Sequence, residues 1–190
     1  YSVNVHTGAK RLIGRSYRTA PKWSVNGKWA VMYDPIAQVW NKFDGATGKV
    51  VNISDAIGYP MFVESYDKPA PAPAYGIAGW TADGNNVFLY DAYDWWKIDL
   101  TGERQPECLT KGYGRKHGKS IRKMTSNIDK DVFQKDEKVI VSLWDKDTMD
   151  EGVYQLDMKG RLRKLMEGNY VYTIHRFSDN HEYCVWNRQN

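Results

Sequence analysis

Trp80-Thr81-Ala82-Asp83-Gly84-Asn85-Asn86-Val87-Phe88-Leu89-Tyr90-Asp91 is the stretch that decides the fold. An Asp-Gly turn leads into five residues rich in β-branched and aromatic side chains, and an Asp closes the run. That is turn chemistry feeding a short strand. The pattern recurs as Trp23-Ser24-Val25-Asn26-Gly27-Lys28 and as Phe177-Ser178-Asp179-Asn180-His181-Glu182. A degenerate copy is Phe133-Gln134-Lys135-Asp136-Glu137-Lys138. The copies fall roughly 44 to 57 residues apart, a period that belongs to repeat architectures. Other apolar runs are equally short: Trp29 to Tyr33, Lys138 to Trp144, Tyr170 to His175 and Glu182 to Trp186. Strands of this length are expected throughout.

Between these copies lies a second motif, an alternating strand that ends in a Gly turn. It reads Tyr1 to Gly8, Val39 to Gly48, Trp95 to Gly102 and Val153 to Gly160, each followed by one more short strand. Each unit is therefore four antiparallel strands, which is a β-propeller blade. The fold class expected is all-β, a propeller segment of about four blades' worth that begins and ends mid-blade. The units are 1–14 (second half of a blade), 15–56, 74–112 and 113–167 (blades), and 168–190 (first half of a blade), with 57–73 a proline-rich insertion. The two halves suit a closed four-bladed ring or a slice through a larger propeller, and the irregular spacing favours the slice. Open blade edges would then make edge-mediated homo-oligomers. Trp23, Trp80 and Phe177 hold equivalent positions and are expected in blade cores, whereas Tyr93, Trp95 and Trp96 are expected to include exposed rings. The best helical pattern is Lys119 to Phe133, with Ile121, Met124, Ile128 and Val132 at helical spacing, though Thr125-Ser126-Asn127 favours no more than a turn.

Composition narrows the function. The chain has 190 residues, 8 Trp, 13 Tyr and 16 Gly, enough to build a core without staples. No apolar run is long enough to span a bilayer as a helix. A net charge of +4 is too mild for a dedicated nucleic-acid binder. Cys108 and Cys184 are too few for a disulfide framework. The chain opens on Tyr1 without a Met, which reads as a mature form or a piece of a longer protein.

The Trp80–Asp91 stretch resembles the repeat of TolB-type and peptidase propellers. Tyr33-Asp34-Pro35-Ile36-Ala37-Gln38-Val39-Trp40, Trp95 to Gly102 and Leu109-Thr110-Lys111-Gly112 resemble the N-terminal propeller of secreted serine peptidases of the prolyl oligopeptidase family. The likeness is to the acylaminoacyl-peptidase or glutamyl-endopeptidase-like members of Bacteroidetes. It implies a non-catalytic domain that gates and selects peptide substrates for a C-terminal α/β-hydrolase domain, in a periplasmic or secreted setting. The chain has no Gly-x-Ser-x-Gly elbow, so no catalytic residue is expected in it. The rival from another class is a free-standing TolB-like propeller that binds a protein or glycan partner.

Candidate sites are few, and no cofactor or metal is expected. Gly112 to Ser120 fails as a phosphate loop because Tyr113 stands where the first glycine must be. The same stretch holds seven basic or His residues from Lys111 to Lys123, with no acid from Cys108 through Ile128. Such a run is usually a solvated loop. In a peptidase setting it would present Arg115, His117 and Lys119 to a substrate carboxylate, with Arg bidentate. Tyr93 and Trp95 complete the substrate-binding candidates. Asp145 to Gly152 has Met149 and Asp150 where a calcium loop needs a ligand and Gly, so it reads as a hairpin. His175, His181 and Cys184 lack the partners a zinc site requires. Tyr66 to Tyr75 alternates Pro with other residues and reads as a stiff connection over one face.

Overall fold

In a computed structural model, residues 1–14, 20–124, 131–178 and 182–189 are described. A hairpin, β1 (Ser2–Val3) and β2 (Lys10–Arg11), comes first. The first full sheet follows: β3 (Lys22–Trp23), β4 (Trp29–Asp34), β5 (Val39–Asp44) and β6 (Val50–Asn52), paired in that order. The second holds β7 (Ile77–Thr81), β8 (Asn86–Tyr90), β9 (Trp95–Asp99) and β10 (Glu107–Cys108). A four-residue helix, α1 (Tyr113–Lys116), leads to β11 (Lys119–Lys123) and β12 (Val132–Phe133). The third sheet runs β11, β13 (Lys138–Asp145), β14 (Glu151–Asp157), β15 (Leu162–Gly168). A last hairpin is β16 (Val171–Phe177) with β17 (Cys184–Gln189). Among the described residues the two hairpins remain separate two-stranded sheets.

Three antiparallel four-stranded meanders stacked in series are propeller blades, and the sequence explains why they stack. Adjacent residues of a strand point to opposite faces, and here both faces are apolar. Val87 and Leu89 of β8 enter one core with Trp29, Val31, Tyr33, Trp40, Trp80 and Trp96. Phe88 and Tyr90 enter a second core with Trp95, Ile121, Phe133, Val141, Leu143 and Leu156. The middle blade is thus buried on both sides. On the far side of the first blade, among the described residues, only Ile13 joins Ala30, Met32 and Phe43. That thin cover leaves Trp23 49% exposed, edge-on to Phe43, so the expected core role for Trp23 is corrected. Trp80 is buried as expected.

The helical reading of Lys119 to Phe133 is also corrected. Lys119–Lys123 pairs residue for residue with Val141–Asp145, and this ladder provides the backbone bonds a helix would otherwise supply. Residues 125–130 lie outside the described segments. Beyond them β12 runs parallel to β7, with Val132 opposite Trp80 and Phe133 opposite Thr81. The degenerate turn at Phe133 therefore reaches back to the preceding blade. Trp80 N–H donates to the Asp131 carbonyl at 2.7 Å and Ala82 N–H to that of Phe133 at 3.0 Å. A Cβ on Gly79 would lie 2.6 Å from the Phe133 ring and 2.8 Å from the Asp131 carbonyl. Glycine is what allows the strap to lie so close.

Alternate connections of a meander sit at opposite ends of the sheet. Connections 35–38, 53–76, 91–94, 109–118 and 146–150 share one end, which we call the loop face. The opposite, turn face carries 24–28, 82–85 and 134–137; there Asn26 Nδ2 donates to the Asp83 carbonyl at 2.9 Å and ties two blades together. No described helix is long and apolar enough to cross a membrane.

Candidate binding site on the loop face

The β8–β9 hairpin is built on two buried aspartates. Asp91 Oδ1 accepts the N–H groups of Tyr93 (2.7 Å) and Asp94 (2.6 Å), an Asx turn that shapes the loop. Its Oδ2 accepts Trp96 Nε1–H at 3.1 Å and Arg115 Nη2–H at 2.9 Å. Asp94 turns to the next connection, accepting Thr110 Oγ1–H (2.6 Å) and the N–H groups of Gly114 (2.9 Å) and Arg115 (3.0 Å). Two N–H groups of α1 thereby find an acceptor the helix cannot supply. Both carboxylates are fully enclosed, which is tolerable only because nearly every lone pair is used. Gly114 fits this tight seam: a Cβ there would meet the Tyr93 carbonyl at 2.6 Å.

Arg115 is the polar group left facing outward, 31% exposed. Its guanidinium lies 3.9 Å from the Tyr59 ring centroid and 5.1 Å from that of Tyr93. Burial works against its charge, yet the hydrogen bond and charge of Asp91 outweigh it and raise the pKa. A cleft of about 480 Å³ adjoins it, lined by Tyr59, Asp91, Trp96, Cys108, Arg115 and Lys116 among others. Cys108 is half-buried and its thiol is pushed up by burial, the reverse of what a nucleophile needs.

The five sequence candidates separate. Arg115 and Tyr93 come together, with Lys146 also over the Tyr93 ring at 5.0 Å. His117 is exposed and stacks on Tyr113, 4.4 Å between centroids. Lys119 is taken up by Glu167 at 2.6 Å. Trp95 is wholly buried, its indole N–H donating to the Ile121 carbonyl at 3.2 Å, so its assignment to ligand contact is corrected. Trp96 is buried too. The basic run is consequently no open anion patch. Arg115 meets Asp91, Lys119 meets Glu167 and Lys123 meets Asp131. Arg122 lies 4.7 Å from the Tyr90 ring centroid and donates to the carbonyls of Asp91, Ala92 and Ile121. The Asp145–Gly152 segment is a hairpin loop, with Asp145 Oδ1 accepting from Asp147 and Thr148 N–H.

Sequence reading missed Tyr59 and a second cavity. Residues 57–73 fold back over the first blade: Val63 N–H donates to the Pro73 carbonyl at 2.9 Å, and Tyr33 Oη–H donates to the Ala72 carbonyl at 3.2 Å. Beneath them is a cavity of about 370 Å³ with mainly apolar walls. The alternating prolines were the available signal, because a stiff segment pinned over a sheet leaves space beneath it.

No protein family matches this sequence, and no curated protein does. A solved structure, that of a TolB-assigned protein from Agrobacterium tumefaciens, aligns with 95% of this chain at 14% identity and a TM-score of 0.49. The chain covers 62% of that structure's length. The propeller assignment rests on the strand pairing and core packing above.

Proposed function

We propose that this chain is a non-catalytic propeller domain that binds and selects peptides on its loop face, gating a serine peptidase of the prolyl oligopeptidase type whose hydrolase domain lies outside residues 1–190. The observation that carries the reading is Arg115, clasped between Tyr59 and Tyr93 at the rim of a cleft. One edge of the guanidinium is anchored by Asp91. The remaining donors are held in a fixed direction, ready for a carboxylate or peptide carbonyl. The sequence resemblance supplies the peptidase setting and the periplasmic or secreted location.

The test is fluorescence titration of the chain with hexapeptides that differ by one Glu-to-Gln exchange. The reading expects saturable binding, no hydrolysis, and roughly tenfold weaker affinity for the Gln peptide, a difference that Arg115→Gln abolishes. Equal binding of both peptides, or none, overturns it and favours the free-standing TolB-like propeller with a protein or glycan partner.

A further inference from the structure

A cleft on the turn face, between the second and third blades, lies at the opposite end of the sheets from Arg115. Its volume is about 490 Å³, within the usual range for ligand sites. Four cations line it from four separate pieces of chain: Lys97 on β9, Arg104 in 100–106, Lys135 in 134–137 and Lys159 in 158–161. Lys97 stands opposite Phe88 in the β8–β9 ladder, and Phe88 faces the core shared with the third blade. The Lys97 side chain therefore leaves the sheet toward that blade. Among the described residues none of the four forms an ion pair, whereas Arg115, Lys119 and Lys123 of the basic run all do.

The neighbouring acids are engaged elsewhere. Asp99 accepts the N–H groups of Glu103 (3.1 Å) and Arg104 (3.0 Å), Glu137 accepts that of Gln134 (2.8 Å), and Asp157 holds Arg161 (2.6 Å). Glu107, across the β9–β10 ladder from Lys97, is exposed and outside the lining. Asp83 is the acid in the lining, and its Oδ1 accepts the Thr81 hydroxyl and the Asn85 N–H. The Thr81 hydrogen bond holds that carboxyl low, and the charge of Lys97 adds to the effect. Phe88 and Phe133, both buried, close one wall. A low-dielectric wall beside charges of one sign focuses their field into the cleft.

We propose that this cleft binds a phosphate group, free or as a monoester, with Arg104 gripping two of its oxygens and the three lysines balancing its charge. Four cations against one acid suit a dianion better than a single carboxylate. Cations supplied by four pieces of chain suit a compact tetrahedral group, not an extended acidic strand.

The test is NMR titration of the nitrogen-15-labelled chain with phenyl phosphate at about pH 7.5, where the ester is a dianion. Saturable shifts are expected at the amides of Gln134, Lys135, Met158 and Lys159, and they should weaken as salt is raised. Benzoate, with one charge, should bind roughly tenfold more weakly. Arg104→Gln with Lys135→Gln should weaken phenyl phosphate binding roughly tenfold. Lys10→Gln with Lys49→Gln, the same charge removed outside the cleft, should not. All four of these side chains are exposed, so neither pair endangers the fold. No saturable shift, shifts confined to the Arg115 cleft, equal loss from both double variants, or benzoate binding as tightly overturns the inference. Inorganic phosphate separates the sources: affinity equal to that of phenyl phosphate makes free phosphate the occupant, and weaker binding or none makes it an ester. Either result stands whether or not peptides bind at Arg115.

Discussion

Asp91 and Arg115, 24 residues apart in the chain, meet at 2.9 Å across the seam between the β8–β9 hairpin and the connection that carries α1. The carboxylate is fully enclosed while the guanidinium is partly open. One residue therefore fixes the other's direction, and the loop face owes its shape to that pair.

Removing either aspartate should loosen the seam. Asp94→Ala strips the acceptor from Thr110, Gly114 and Arg115, leaving three donors in a buried place. A loss of about 2–3 kcal/mol is expected, read as a fall in Tm of roughly 5–10 °C. Asp91→Asn should cost less overall, because Arg115 can turn to water, but it should abolish any Glu-over-Gln peptide preference. A Tm unchanged by Asp94→Ala would show that the seam contributes nothing.

Gly79→Ala tests the strap between blades. The new methyl group would sit inside contact distance of both Phe133 and the Asp131 carbonyl, so β12 must move. A cost of about 1–3 kcal/mol is expected. Hydrogen exchange should accelerate at the amides of Trp80 and Ala82, the two that donate to the strap. Unchanged protection at those amides would mean that the strap does not hold them.

Glu167 contributes to the acid side of the stability curve, beside several aspartates that are also held low. Lys119 and then Lys164 hold its carboxyl down, from 4.5 to about 2, against the opposing effect of burial. Because the folded pKa lies below the unfolded one, the contribution is present above about 4.5 and fades as pH falls toward about 2. Glu167→Gln should therefore destabilise at pH 7 by about 1 kcal/mol, since the partners are partly solvated, and match the unsubstituted chain near pH 2. A difference that persists at pH 2 would point to packing, not charge.

The alkaline side belongs to the tyrosines that burial raises, Tyr33, Tyr75, Tyr90 and Tyr154. Burial raises both Tyr33 and Tyr90 to about 12, and Asp34 adds to the effect at Tyr33. For a raised folded pKa the stabilisation is complete below pH 10 and is lost as pH climbs toward 12. Absorbance at alkaline pH should show most tyrosines ionising first, with Tyr33, Tyr75, Tyr90 and Tyr154 following as the fold opens. Tyr33→Phe should remove one late phenol and slow the opening.

Most of the fold was legible because turns and strands are local. Asn26-Gly27 and Asp83-Gly84 mark hairpins, and the runs behind them carry apolar residues on both sides. What escaped depends on neighbours distant in sequence. Trp95 and Trp96 are adjacent and were expected to include an exposed ring, yet each enters a different inter-blade core. Their burial follows from having a blade on both sides, which no window of sequence reveals. The basic run around Arg115 showed no acid nearby in the chain, so its neutralisation by Asp91, Asp131 and Glu167 was invisible.

The parallel pairing of β12 with β7 bears on how the chain is made. The second blade's inner edge is not finished until residues 131–133 have been synthesised, well after its own four strands exist. A nascent chain released from the ribosome through residue 120 should therefore expose the Trp80 edge and be cleaved there by protease. One released through residue 145 should be protected. If both resist equally, the blade matures alone and the strap is added to an already sealed edge. If only the longer one resists, two neighbouring repeats of this propeller are a single unit of biogenesis.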